Sequence, residues 1–104
     1  MKNTKYILSI GLNDQNTHTQ KFDTITAYKL IENTLRQYTN GYTMYETKGG
    51  YRHTDNTYIQ ETSIRVELMF IAKTQVLVIA NTLKTALNQE SIGYEEITSN
   101  QQFI

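Results

Sequence analysis

Apolar residues alternate with others from Tyr6 to Leu12. Tyr6, Leu8, Ile10 and Leu12 share one side; Lys5, Ile7, Ser9 and Gly11 share the other. A period of two predicts a strand with one buried face. Residues 13–20, NDQNTHTQ, are polar and unpatterned, and read as a loop. The spacing then lengthens, with Ala27, Ile31, Leu35 and Tyr38 recurring at helical intervals and Tyr28 and Leu30 widening the stripe. Asp23 or Thr24 offers an N-cap oxygen. Asn40-Gly41 closes the helix, with Gly41 expected in the left-handed conformation common just past a helix end.

Beyond Gly41 the period returns to two. Tyr42, Met44 and Glu46 alternate with Thr43, Tyr45 and Thr47, and Ser63–Phe70 follows with Ile64, Val66, Leu68 and Phe70 facing inward. The segment His53–Tyr58 between them is a hairpin tip. Symmetric pairing about Asp55-Asn56 places Tyr45 beside Val66 on the core face, in place of Tyr42 and Met44. One extra residue at Gly49-Gly50 reverses that, so a β-bulge is expected there. Thr74 is expected to cap a second helix whose buried stripe is Val76, Ile79, Ala80, Leu83 and Leu87, ended by Asn88-Gln89-Glu90. Ser91–Ile97 reads as a last strand, and Gln102–Ile104 as a short edge strand. The order β-α-β-β-α-β, with both helices on one face of an antiparallel sheet, is the ferredoxin-like α+β arrangement. A chain of 104 residues makes this a single domain, 1–104.

Composition narrows the function classes. Ten basic and ten acidic residues cancel, so the surplus of positive charge that general DNA binding requires is missing, although a local anion site is not excluded. Cysteine is absent, which removes disulfides, thiolate nucleophiles and Cys-ligated metals. There is no P-loop, G-x-G-x-x-G or H-E-x-x-H motif. His18 and His53 both fall in loops, and Ser9, Ser63, Ser91 and Ser99 carry no sign of a triad. No catalytic residue, metal ligand or cofactor is therefore assigned. No apolar run approaches the roughly 20 residues of a membrane span. The short apolar stretch near the N-terminus, interrupted by Ser9, reads as a first strand rather than a signal peptide, and a cytoplasmic location is expected.

The stretch TKGGYRHTDNTYIQETSIRVE, residues 47–67, has the strongest claim to recognition. Tyr45, Tyr51 and Tyr58 carry flat rings that stack on a base or on a partner. Arg52 and Arg65 carry forked donors for phosphate or carboxylate. His53 is a candidate contact or acid–base group, and Glu61 suits a ribose hydroxyl or an amine. The same residues also suit a hairpin whose tyrosines pack together and whose Arg–Glu pairs keep it soluble. Glu46, Arg65 and Glu67, with Met69 and Lys48, would form an outward ladder. That ladder is either a solvated ion-pair face or a surface for a homodimer.

The run GYTMYETKGGYRHTDNTYIQETSIRVEL, with NQESI after the second helix, resembles a family of small ferredoxin-like proteins from bacterial and phage genomes. The matching positions are Gly41, then Gly49, Tyr51 and Arg52, then Asp55-Asn56, Glu61, and Gln89, Glu90 and Ser91. The resemblance covers about two-thirds of the chain, and the absence of proline departs from it. It implies the fold and this residue list, and no settled activity. An Asn-, Lys-, Ile- and Thr-rich, Cys-free chain of this size suits a phage. The expected function is a binding protein that antagonises bacterial defence, by sequestering a nucleotide-like signal or blocking a defence protein. The alternatives are a small dimeric enzyme with a pocket between helices and sheet, using His53 or a tyrosine as acid or base, and a structural or assembly protein.

Overall fold

The computed structural model describes residues 2–104. Its elements run β1 (Lys2–Gly11), α1 (Thr24–Tyr38), β2 (Thr43–Arg52), β3 (Tyr58–Leu68), α2 (Lys73–Ala86) and β4 (Gly93–Asn100). The strands form one four-stranded sheet in the order β2-β3-β1-β4, antiparallel throughout. This is the ferredoxin-like arrangement, and its two helices pack on one face.

The alternation in β1 and β3 is what buries that face. Leu8, Ile10, Ile64, Val66 and Leu68 from the sheet meet Ala27, Ile31 and Leu35 of α1 and Val76, Ile79 and Leu83 of α2, all fully buried. Each larger aliphatic side chain so buried contributes about 1.5–3 kcal/mol relative to exposure. Asp23 caps α1 by accepting the Thr26 N–H at 2.7 Å. At the end of α2, Asn88 takes a left-handed φ of 48°. The Asn88 N–H bonds the Thr85 carbonyl and the Gln89 N–H bonds the Lys84 carbonyl, which closes the helix in a Schellman motif.

Several expectations are corrected. There is no bulge at Gly49-Gly50: β2 pairs with β3 without interruption from Thr43↔Glu67 to Arg52↔Tyr58. Met44 does lie opposite Val66 on the core side, but the odd residue that puts it there sits in the turn. The His53 N–H bonds the Thr57 carbonyl at 2.7 Å, the Asn56 N–H bonds the His53 carbonyl at 2.9 Å, and Asn56 is left-handed at φ 72°. That is a hairpin loop closed by one αL residue. Asp55 accepts from both the backbone N–H and the hydroxyl of Thr57 and tightens it further.

Gly41 is not left-handed; the cap of α1 is Thr39, in extended backbone. The N-cap of α2 is Ala72 rather than Thr74 and makes no side-chain bond. β3 stops at Leu68, and Phe70, at φ 56°, is exposed rather than inward. Residues 102–104 form no strand. Glu46 and Lys48 lie opposite Ile64 and Thr62, on the helix side, and so leave the outward ladder.

β1 accompanies β3 only between Leu68 and Ser63. Beyond that the β2–β3 hairpin projects as a two-stranded ribbon, whose stability rests on its turn. Asn56→Ala is expected to weaken this end by about 1 kcal/mol, since a Cβ-bearing residue without a local polar partner is strained in the left-handed region. Asn56→Gly should be near neutral. Hydrogen exchange of the His53 and Asn56 amides measures both, and equal protection in all three proteins would refute this account of the turn.

Candidate functional site

Small residues cross the helix-free face of the sheet where β1 ends. Ser9 lies opposite Arg65 on β3 and Gly93 on β4, and Gly11 lies opposite Ser63. Ser9, Gly11, Ser63 and Gly93 floor a cleft of about 470 Å³. Three loops and strand ends wall it: Asn13, Asp14, Gln15 and His18 after β1; Tyr51, His53 and Glu61 from the hairpin; and Gln89, Glu90 and Ser91 before β4.

Glu61 reaches over Gly11. A Cβ at Gly11 would come within 2.5 Å of Glu61 Oε2, so the glycine makes the space that the carboxylate occupies. The Asn13 backbone N–H donates to the same oxygen at 3.0 Å. On its other side, the Asn13 carbonyl accepts from Gln89 Nε2 at 2.7 Å. A single residue thus ties the hairpin to the segment before β4.

Asp14 braces the loop. It is 6% exposed, and its Oδ1 accepts from the N–H groups of Asn16 and Thr17 at 2.9 and 3.2 Å. Its Oδ2 accepts from Asn88 Nδ2 at 2.8 Å, and Lys21 Nζ stands 3.7 Å from it. Asn88 is held reciprocally by Gln15, which donates its backbone N–H to the Asn88 carbonyl and Nε2 to Oδ1. The Asn88 amide is the main influence holding the Asp14 carboxyl below its ordinary 3.8; the two N–H groups and Lys21 add to it, and desolvation opposes it.

The hairpin tip closes over the loop. His53 meets His18 edge to face, with ring centroids 6.0 Å apart, and His18 is itself left-handed at φ 57°. Among the described residues three carboxylates (Asp14, Glu61 and Glu90) and no Lys or Arg line the cleft. Among the described residues no three His, Asp or Glu gather to hold a metal ion. No described helix is long and apolar enough to cross a membrane.

Of the six candidates, the fold brings together Tyr51, His53 and Glu61. Tyr51 and Arg52 are neighbours in a strand, so they face opposite sides of the sheet. Arg52 points to the helix side, where its guanidinium lies 4.3 Å from the Tyr58 ring centre and Nη1 bonds the Asn56 carbonyl and Oδ1. Tyr45 and Arg65 lie on the cleft face but farther along the sheet. Tyr45 donates to Glu67 at 2.9 Å, and Arg65 pairs with Glu95 at 3.6 Å. Lys5, at 2.9 Å, is the main influence lowering the Glu67 carboxyl. The space between helices and sheet is filled with aliphatic side chains, so the pocket expected there is replaced by the open-face cleft. Asn13, Asp14, His18 and Gly11 are site residues that periodicity does not single out. Gln89, Glu90 and Ser91 were marked only by the family resemblance.

The pH dependence of this brace has a definite sign. Folding lowers the Asp14 pKa, so the unfolded chain takes up the proton first as pH falls. The stability contributed by Asp14 is therefore complete above about pH 4 and is lost as pH drops through the depressed value. Wild type should melt higher than Asp14→Asn at pH 6, and the gap should close as pH falls through the depressed value. A gap that stays constant with pH would exclude an ionised Asp14 as the brace.

No protein-family model matches this chain. Nor does any curated protein. Solved structures do. A phage SAM lyase in complex with S-methyl-5′-thioadenosine is 13% identical, with a TM-score of 0.64, covering 97% of this chain and 92% of that one. A phage SAM lyase in its apo state is 15% identical at the same TM-score of 0.64, covering 99% and 93%. The periplasmic divalent cation tolerance protein CutA from Archaeoglobus fulgidus is 7% identical with a TM-score of 0.60, covering 95% and 87%. At these identities the likeness is one of fold: the chain is a ferredoxin-like α+β domain.

Proposed function

We propose that the open-face cleft binds a phosphate-free adenine nucleoside and favours one bearing a positive charge, with S-adenosylmethionine as its ligand. The observation that carries this reading is the charge of the lining: Glu61, Asp14 and Glu90 without a single Lys or Arg. A nucleotide phosphate brought into such a cleft would lose hydration and meet like charge, with no forked donor to hold it. A sulfonium or amine, in contrast, meets a carboxylate already fixed by Asn13. Tyr51, 43% exposed at the rim, offers a ring face to the base or to the cation. The fold shared with phage SAM lyases over nearly the whole of both chains adds support, one of them carrying S-methyl-5′-thioadenosine.

In this reading the protein is a small phage-type binder that withdraws a nucleoside from a bacterial host and so weakens defences that depend on it. Binding a defence protein directly is the less favoured form, because the best-formed polar feature is a cleft. In a catalytic form, suggested by the neighbour named a lyase, the bond from the sulfonium sulfur to the amino-acid chain would break as that chain's own carboxylate closes on the carbon, releasing S-methyl-5′-thioadenosine and a lactone. A homodimer formed through the open sheet face would cover the same cleft. Self-association is therefore to be measured with ligand present and absent.

Titration calorimetry tests the reading. S-adenosylmethionine is expected to bind, the neutral S-methyl-5′-thioadenosine to bind less tightly, and ATP not to. Glu61→Gln should weaken S-adenosylmethionine by about tenfold or more, as expected for a lost hydrogen bond to a charged group, with Tm within about 4 °C of wild type. Gly11→Ala, which displaces the carboxylate, should weaken it similarly. ATP binding tighter than S-adenosylmethionine would overturn the reading. Mass spectrometry of the same mixtures decides between sequestration and turnover.

A further inference from the structure

Gln89 is 7% exposed, and only the nitrogen end of its amide has hydrogen-bond partners among the described residues. Nε2 donates to the Asn13 carbonyl at 2.7 Å and to the Leu87 carbonyl at 3.3 Å. Turning the amide over would set Oε1 against those two carbonyl oxygens, acceptor against acceptor, so the orientation is fixed. Oε1 itself receives no protein hydrogen bond among the described residues. Yet it is not sealed in: the buried side-chain polar atom without a partner among those residues is Gln101 Oε1. Gln89 lines the cleft, which is where a ligand would meet it.

A nine-tenths-buried amide held by its nitrogen and open at its oxygen is an acceptor waiting for a donor. We infer that Gln89 is a specificity-determining residue that selects a ligand N–H at this point, the 6-amino group of adenine. This rests on the nucleoside reading above and deepens it. The Gln89 oxygen stands at a set spacing from the Glu61 carboxylate, because Asn13 holds one through its N–H and the other through its carbonyl. A ligand serving both must carry a donor or positive charge at one point and an N–H at the other. An adenine nucleoside does: a ribose hydroxyl or a charged 5′ substituent meets Glu61, and the 6-amino group meets Gln89. A 6-oxo purine puts an acceptor where the amine stood, and leaves Gln89 Oε1 facing another oxygen.

The test compares S-methyl-5′-thioadenosine with S-methyl-5′-thioinosine by calorimetry on the full chain. Wild type should bind the inosine compound about tenfold or more weakly, the cost of a buried acceptor left unpaired. In Gln89→Met, which keeps the volume and removes the acceptor, that ratio should fall to near one. Equal binding of both compounds by wild type overturns the inference while leaving the nucleoside reading intact. An unchanged ratio in Gln89→Met removes Gln89 from the selection. Binding of neither compound by wild type sinks the nucleoside reading and this inference with it. Should Gln89→Met not fold, the two-ligand comparison on wild type still decides.

Discussion

The hydrogen bonds between His53 and Thr57 and between Asn56 and His53 close the hairpin on an odd number of residues, and the allocation of β2 to the two faces of the sheet depends on that count. With the turn closed this way, Met44 lies against Val66 and Tyr51 lies against Ile59 on the cleft side. A register shifted by one would expose Met44, bring Tyr45 into the core and turn Tyr51 away from the cleft. The turn far from the core therefore governs both core packing and one wall of the site. The left-handed Asn56 is the local conformation that makes it possible.

The fold was legible because its signals are strong and repeated. β1 and β3 alternate cleanly, and each helix carries a full apolar stripe; those patterns leave one sensible layering. What misled were the glycines. Gly49-Gly50 resembles a bulge, yet neither residue has a positive φ, and a Cβ at Gly49 would meet nothing within 4 Å. The core required one extra residue somewhere between Met44 and Val66, which the sequence does reveal. Whether it sat in the strand or in the turn depended on Asn56, whose side chain tolerates the left-handed region nearly as a glycine does. Gly41 likewise suggested a helix stop, whereas Thr39 in extended backbone ends α1 without it.

The site was legible in part, for a related reason. Tyr51, His53 and Glu61 stood out as chemistry-bearing residues near one hairpin end, and they do converge. Arg52 stood out equally, but the period of two that makes the hairpin a hairpin sends it to the opposite face from Tyr51. The rest of the cleft comes from segments distant in sequence. Asp14 and Asn88 bond across the fold, as do Asn13 and Gln89. Nothing in the polar run NDQNTHTQ distinguishes an aspartate that accepts three hydrogen bonds from one in open solvent. Gln89 appeared only as part of a recurring Gln-Glu-Ser, without its reason.

The reason we infer is geometric and bears on how a protein of zero net charge could have a charged preference. The ion pairs of the sheet face, Lys5–Glu67 and Arg65–Glu95, are satisfied locally and leave little field beyond their own surroundings. In the cleft the balance differs. Asp14 has Lys21 and its hydrogen bonds, but among the described residues Glu61 has only a backbone N–H as donor, and Glu90 has no ion-pair partner. Two carboxylates therefore remain without a paired cation beside a nearly buried carbonyl oxygen and a floor of small residues. The charged groups of this lining are acceptors, and what complements them is a ligand that brings donors or positive charge. The proposed preference for such a ligand over a phosphate rests on this local imbalance, which a net charge summed over the whole chain cancels from view.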